Sequence, residues 1–163
     1  MKTTEKRTID NEGQNHITSL NLHGNDLEST FGLPAIPWLI NLTQINLSSN
    51  RISSVNLPEL SLLPSLTALD LSGNRIKSLL DLPFMPNLQW ISLAHNSITS
   101  ISGIEESVAN LQYLDLRDNN LTELEDNWRL SWNTAMESFR ALSKLEDVML
   151  FGESLDPKTD RFR

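Results

Sequence analysis

The chain repeats one spacing of apolar and polar positions, L-x-x-L-x-L-x-x-N-x-L, five times. The copies read ITSLNLHGNDL from Ile17, LTQINLSSNRI from Leu42, LTALDLSGNRI from Leu66, LQWISLAHNSI from Leu88 and LQYLDLRDNNL from Leu111. A sixth, LEDVMLFGESL from Leu145, keeps the apolar positions and places Glu153 where the asparagine belongs. The central apolar residues Leu20, Ile45, Leu69, Ile91 and Leu114 lie 25, 24, 22 and 23 positions apart, whereas Val148 follows after 34, so the last interval holds an insertion. In each copy two apolar strand positions alternate around one residue, as a short strand requires. A single repeat cannot bury its leucines, but stacked repeats build one apolar column with a parallel sheet along a concave wall. Asn25, Asn50, Asn74, Asn96 and Asn119 stand where the chain must leave that sheet. Their amides are expected to form a ladder, bonding backbone groups of their own repeat and the next. The pattern therefore predicts an α/β, right-handed solenoid with short parallel strands on the concave face and short helices and extended turns on the convex face.

The connecting segments GLPAIPWLI, LPELSLLPSL and LLDLPFMPNL are punctuated by proline, which excludes long helices. Trp38, Phe84 and Met85 in these returns are expected to fill the space between convex turns and core, and SGIEESVAN to hold a short helix. Four segments result: residues 1–16, a polar leader or an N-terminal cap; 17–124, five repeats; 125–144, the insertion; and 145–163, the sixth repeat with a C-terminal cap. In the insertion, Trp128, Trp132, Ala135, Met136, Phe139 and Leu142 recur at helical steps, with Arg129, Glu137, Arg140 and Lys144 largely opposite. This amphipathic helix is expected to close the C-terminal end of the leucine column. Trp128 and Trp132 are secondary candidate anchors for a partner.

Composition narrows the chemistry. A net charge of −8 argues against direct binding to nucleic acid or an anionic membrane. The chain has no cysteine, hence no thiolate nucleophile and no disulfide cap, and three histidines offer little for a metal. His23 and His95 fall on repeats separated by two others, roughly 14 Å apart at the spacing of neighbouring strands, too far to share an ion. No phosphate-cradling glycine loop, nucleophile elbow or carboxylate cleft is present in the sequence. No enzyme activity, cofactor, metal or small-molecule substrate is expected, and the polar N-terminal segment points to the cytoplasm or nucleus.

What remains is a protein-binding surface, and alternation says where it lies. The residues flanking the strand leucines face the concave side: Ser19, Asn21 and His23; Gln44, Asn46 and Ser48; Ala68, Asp70 and Ser72. The C-terminal half changes character with Trp90, Ser92 and Ala94; Tyr113, Asp115 and Arg117; then Asp147, Met149 and Phe151. Trp90 and Tyr113 hold the same position in successive repeats and should stand side by side. Together with Arg117, Met149 and Phe151 they have the composition of a binding hot spot. Asp70, Asp115 and Arg117 would set orientation and charge selectivity.

The repeated pattern resembles the leucine-rich repeat. Repeats of this length without cysteine caps resemble the intracellular subfamily typified by a phosphatase-1 regulatory subunit, an axonemal dynein light chain, the spliceosomal A-prime protein and the acidic nuclear phosphoproteins. The closing segment LEDVMLFGESLDPKTDRFR resembles that subfamily's terminal cap, with Asp156-Pro157 and Phe162-Arg163 standing for its Asn-Pro and Tyr-Arg. SLNLHGNDL, SGIEESVANLQYLDLRDNNLTEL and LSKLEDVML are also similar to the N-terminal domain of centriolar leucine-rich-repeat and coiled-coil proteins. That resemblance implies a scaffold role at the centriole or basal body. The wider subfamily implies, instead, a regulatory subunit of a phosphatase or dynein motor, or a protein-binding component of a ribonucleoprotein particle.

Overall fold

The computed structural model describes residues 4–9, 15–30, 37–121, 128–150, 154–156 and 161–162, with side chains at 4, 17–30, 39–121 and 135–150. Among these residues, one nine-stranded sheet runs in sequence order. Six strands form its parallel body: β2 (Asn15–Asn21), β3 (Gln44–Asn46), β4 (Ala68–Asp70), β5 (Trp90–Ser92), β6 (Tyr113–Asp115) and β7 (Asp147–Met149). The central leucines pair from repeat to repeat, Leu20 with Ile45, Leu69, Ile91, Leu114 and Val148 in succession. Antiparallel strands cover both ends of this body. β1 (Thr4–Ile9) pairs with β2, while β8 (Ser154–Asp156) and β9 (Arg161–Phe162) extend β7. A solenoid needs such covers because an open parallel edge exposes unpaired backbone groups and apolar ends.

Behind the sheet lies a continuous core. Leu69, Ile91, Leu114 and Val148 are fully buried, as are the next apolar positions Leu47, Leu71, Leu93 and Leu116 and, past the asparagine, Ile52, Ile76 and Ile98. Each strand is short because the chain must turn under its neighbour, and asparagine stitches that turn. Asn96 Nδ2 donates to Leu93 O (2.9 Å) and Ala94 O (3.2 Å) in its own repeat and to Leu71 O (3.0 Å) in the preceding one, while its Oδ1 accepts from Ile76 N (3.0 Å). Asn50, Asn74 and Asn119 repeat the arrangement. The ladder thus links each repeat to the preceding one, not to the next one as expected from the sequence. The backbone bonds of the sheet run both ways, Leu47 N to Asp70 O forward and Thr67 N to Thr43 O back, whereas the asparagine side chains reach only backward.

The convex wall is built from short pieces. Among the described residues, 3-10 turns occupy Pro37–Asn41 and Pro58–Leu62, and α1 (Ile104–Ser107) takes their place in a later repeat. The longer helix α2 spans Trp128–Ala141 and buries Ala135, Met136 and Phe139, with Leu142 just beyond it, while Glu137 and Arg140 stay exposed. Met85 is buried as expected of a convex filler, but Phe84 is 61 % exposed. Only one of two adjacent residues can point inward in this extended return between Pro83 and Pro86, and it is Met85. The side chain of Trp38 lies outside the described residues. Ile40, Leu62 and Leu80 are exposed with Phe84, so the convex wall carries apolar surface of its own.

Candidate functional site

Strand register decides which concave side chains meet. Ala68 pairs with Trp90, Trp90 with Tyr113, and Tyr113 with Asp147; one step further along, Asp70, Ser92, Asp115 and Met149 form a second row. Trp90 and Tyr113 are half-buried, and their rings stack with centroids 5.7 Å apart and planes 3° from parallel. This is an offset stack raised from the sheet, a geometry that presents rigid apolar area at low conformational cost.

The charged residues beside the stack are held by one another. Arg117 Nε donates to Asp115 Oδ1 (2.9 Å) and Nη2 to Asp115 Oδ2 (2.7 Å), a two-point pair. The bond to Asp115 holds the Arg117 guanidinium well above its ordinary range. Burial, with Asp115 and Asp147 nearby, pushes the Tyr113 phenol above its usual value of 10.0, while Arg117 opposes the shift. The Asp115 side chain is only 5 % exposed, so its carboxylate positions Arg117 instead of being offered to a partner.

A repeated local bond also involves the second row. Asp70 Oδ1 accepts from Ser72 N (2.9 Å) and Ser72 Oγ (2.7 Å), and Asn46 Oδ1 does the same with Ser48 (2.8 and 2.6 Å). Asn21 with His23 and Asp115 with Arg117 complete the series. These side chains end each strand by satisfying the N–H two residues on, an Asx-type turn. Alternation identified them as concave; their bonds to the backbone were missed.

Met149 is half-buried in the same row as Asp115. Phe151 lies outside the described residues. Trp128 and Trp132 lie on α2, in its first turns, and their side chains are likewise not described. A shallow polar groove of about 350 Å³ runs along the N-terminal ends of the strands, lined by Thr67, Asn87, Gln89, Asn110, Gln112 and Lys144. Its sequence signal is the polar residue that follows the first leucine of each copy. Among the described residues, no group of three or more acidic or histidine side chains is placed to hold a metal ion. No helix among them is long and apolar enough to cross a membrane.

Comparison with known proteins agrees with this architecture. Residues 15–76 match the family model described as Leucine rich repeat, and residues 86–128 the one described as Leucine Rich repeats (2 copies). An uncharacterized leucine-rich repeat-containing protein of Schizosaccharomyces pombe is 35 % identical over 122 residues, 74 % of this chain; the matched region is 16 % of that relative's length. Among solved structures, a chain of the SNF/U2A′ complex of Drosophila melanogaster superposes with a TM-score of 0.61 at 24 % identity, covering 88 % of this chain and 77 % of that one. A chain of the TLR13–ssRNA13 complex gives 0.59 at 23 % identity, covering 90 % of this chain and 23 % of that one. At these identities both show a shared fold alone.

Proposed function

The chain belongs to the leucine-rich repeat proteins, and from that premise we propose that it is a non-enzymatic protein-interaction module whose partner docks on the C-terminal half of the concave sheet. The observation that carries the reading is the Trp90–Tyr113 stack, standing half-exposed on the sheet face next to an oriented arginine. Large rigid aromatics and arginine are the side chains that dominate binding energy at protein interfaces. The partner contributes a helix, loop or peptide. Trp90 and Tyr113 supply the buried area, Met149 flanks them, and Asp70 and Arg117 set orientation and charge selectivity.

Affinity capture followed by mass spectrometry, comparing the native chain with Trp90→Ala/Tyr113→Ala, tests this. Partners lost only from the double variant, with circular dichroism and melting preserved, support the concave site. Unchanged partners move the site to the convex wall or α2, and loss of the fold overturns the surface role assigned to the two rings. Each single substitution should weaken binding by at least about thirtyfold, the effect of a hot-spot residue.

The finer assignment we propose is a scaffold role at the centriole or basal body, in the cytoplasm, supported by the three sequence stretches that resemble centriolar proteins. A tagged chain concentrated at basal bodies would agree with it. Nuclear signal with co-purifying small ribonucleoproteins would replace it with the ribonucleoprotein reading, and a captured phosphatase or dynein motor with the regulatory one.

A further inference from the structure

Resting on the concave-face reading, we infer that the notch above Ala68 is a subsite for an arginine side chain of the partner, its guanidinium lying against the open face of Trp90 and paired with Asp70. The notch follows from register. Ala68 stands directly between Gln44 on β3 and Trp90 on β5, so a single methyl separates two long side chains. Tyr113 covers one face of the Trp90 indole. The other face turns toward β4, where the Ala68 methyl is too short to cover it.

Asp70 lies two residues along the same strand, on the same side of the sheet. Its Oδ1 is fixed by both donors of Ser72, which aims the carboxylate, and among the described residues no basic side chain pairs with it. The face has little cation of its own to place there. Arg117 is the one lysine or arginine among the concave positions Ser19 to Met149, and Asp115 holds it at two points. The chain as a whole carries −8, so a cationic segment is attracted. A planar guanidinium suits this site better than an ammonium, because it can stack on an indole while its edge donates to a carboxylate.

The probes are N-acetyl-arginine amide, its lysine analogue and the neutral isostere N-acetyl-citrulline amide, titrated into the ¹⁵N-labelled chain. Saturable shifts at the Ala68 and Asp70 amides and the Trp90 indole N–H are expected with arginine, weaker ones with lysine and none with citrulline. Asp70→Asn should weaken arginine binding up to about fivefold, the size of one exposed ion pair, because the contact with Trp90 is kept. That variant keeps the turn, because Asn46 already makes the same two bonds to Ser48. Ala68→Leu fills the notch without changing charge and should remove the shifts, while Asp81→Asn on the exposed convex side should leave them. Equal response to lysine, shifts spread over the acidic surface, or survival in Ala68→Leu would overturn the subsite. Partner capture separates the two levels. A partner released by Trp90→Ala/Tyr113→Ala but kept by both Asp70→Asn and Ala68→Leu overturns the subsite and leaves the docking face standing. A partner kept by all three variants overturns both.

Discussion

Asn96→Ala removes one rung of the asparagine ladder, and its cost can be worked from the bonds. The Asn96 amide has two N–H groups and contacts three carbonyls, so the strong donations are those to Leu93 O (2.9 Å) and Leu71 O (3.0 Å), and the third, at 3.2 Å, is shared. With Ile76 N donating to Oδ1, three full bonds are lost. Each contributes about 1 kcal/mol net, and more if the partner is left buried without water. Asn96 is 8 % exposed and its partner residues Leu71, Leu93 and Ile76 are fully buried, so rehydration is restricted. The expected loss is therefore about 3 kcal/mol, a large fraction of the ~5–15 kcal/mol that holds a domain together. Asn96→Asp should cost more than alanine, since it keeps the acceptor for Ile76 N but sets a carboxylate against two carbonyls that need donors. Asn119→Ala loses the same bonds at a half-buried site and should cost less. Urea unfolding measures all three, with hydrogen exchange at Ile76 N as the local check. A loss below about 1 kcal/mol for Asn96→Ala, or no faster exchange at Ile76, would falsify the ladder as a source of stability.

Three further outcomes are expected. Tyr113 is the chain's only tyrosine, so absorbance at 295 nm follows one phenol, and its midpoint should lie above 10.0. Because the raised value favours the neutral form in the folded chain, the associated stability is complete below pH 10 and declines as pH rises past the unfolded value toward the folded one, which a pH series of melts will show. Ser49→Gly should stabilise by about 0.5 kcal/mol, since Ser49 sits at φ 54°, a left-handed conformation; Gly73→Ala, at φ 64° with Ser49 Oγ 3.3 Å from the added carbon, should cost about 1 kcal/mol by denaturant titration. Phe139→Ala, at a residue 1 % exposed in α2, should cost about 3–5 kcal/mol. A lowered m-value would show the C-terminal end of the solenoid opening on its own.

Period and register were the most legible features of the sequence, for a physical reason. Two buried leucines with one residue between them fix which way every neighbouring side chain points, because a slip of one would bury the polar set. The stacking of Trp90 on Tyr113 could therefore be read from their shared position alone. The Asp115–Arg117 pair had a signal as well, opposite charges two apart on one strand face, but alternation reports facing and says nothing about which facing groups bond to each other. The ladder's direction was illegible, since an asparagine spacing is the same whichever neighbour it reaches. Only the side-chain bonds show it, Asn96 reaching Leu71 O and Ile76 N of the preceding repeat.

The left-handed residue before each asparagine shows a subtler limit. Gly24 and Gly73 mark it, yet Ser49, His95 and Asp118 take the same conformation with φ of 53–54°. Each of those three repeats accepts local strain that a glycine would relieve. The strain persists because the next residue is the asparagine, whose several backbone bonds outweigh roughly 1 kcal/mol at its neighbour. The same hierarchy governs the concave face. Asp70 and Asn46 end their strands first, and only the oxygen and the face left over by that duty are open to a partner. On the proposed reading, function in this sheet is confined to what the turns do not use, so the aromatic stack, absent from the first three repeats, marks the proposed site more clearly than the polar residues around it.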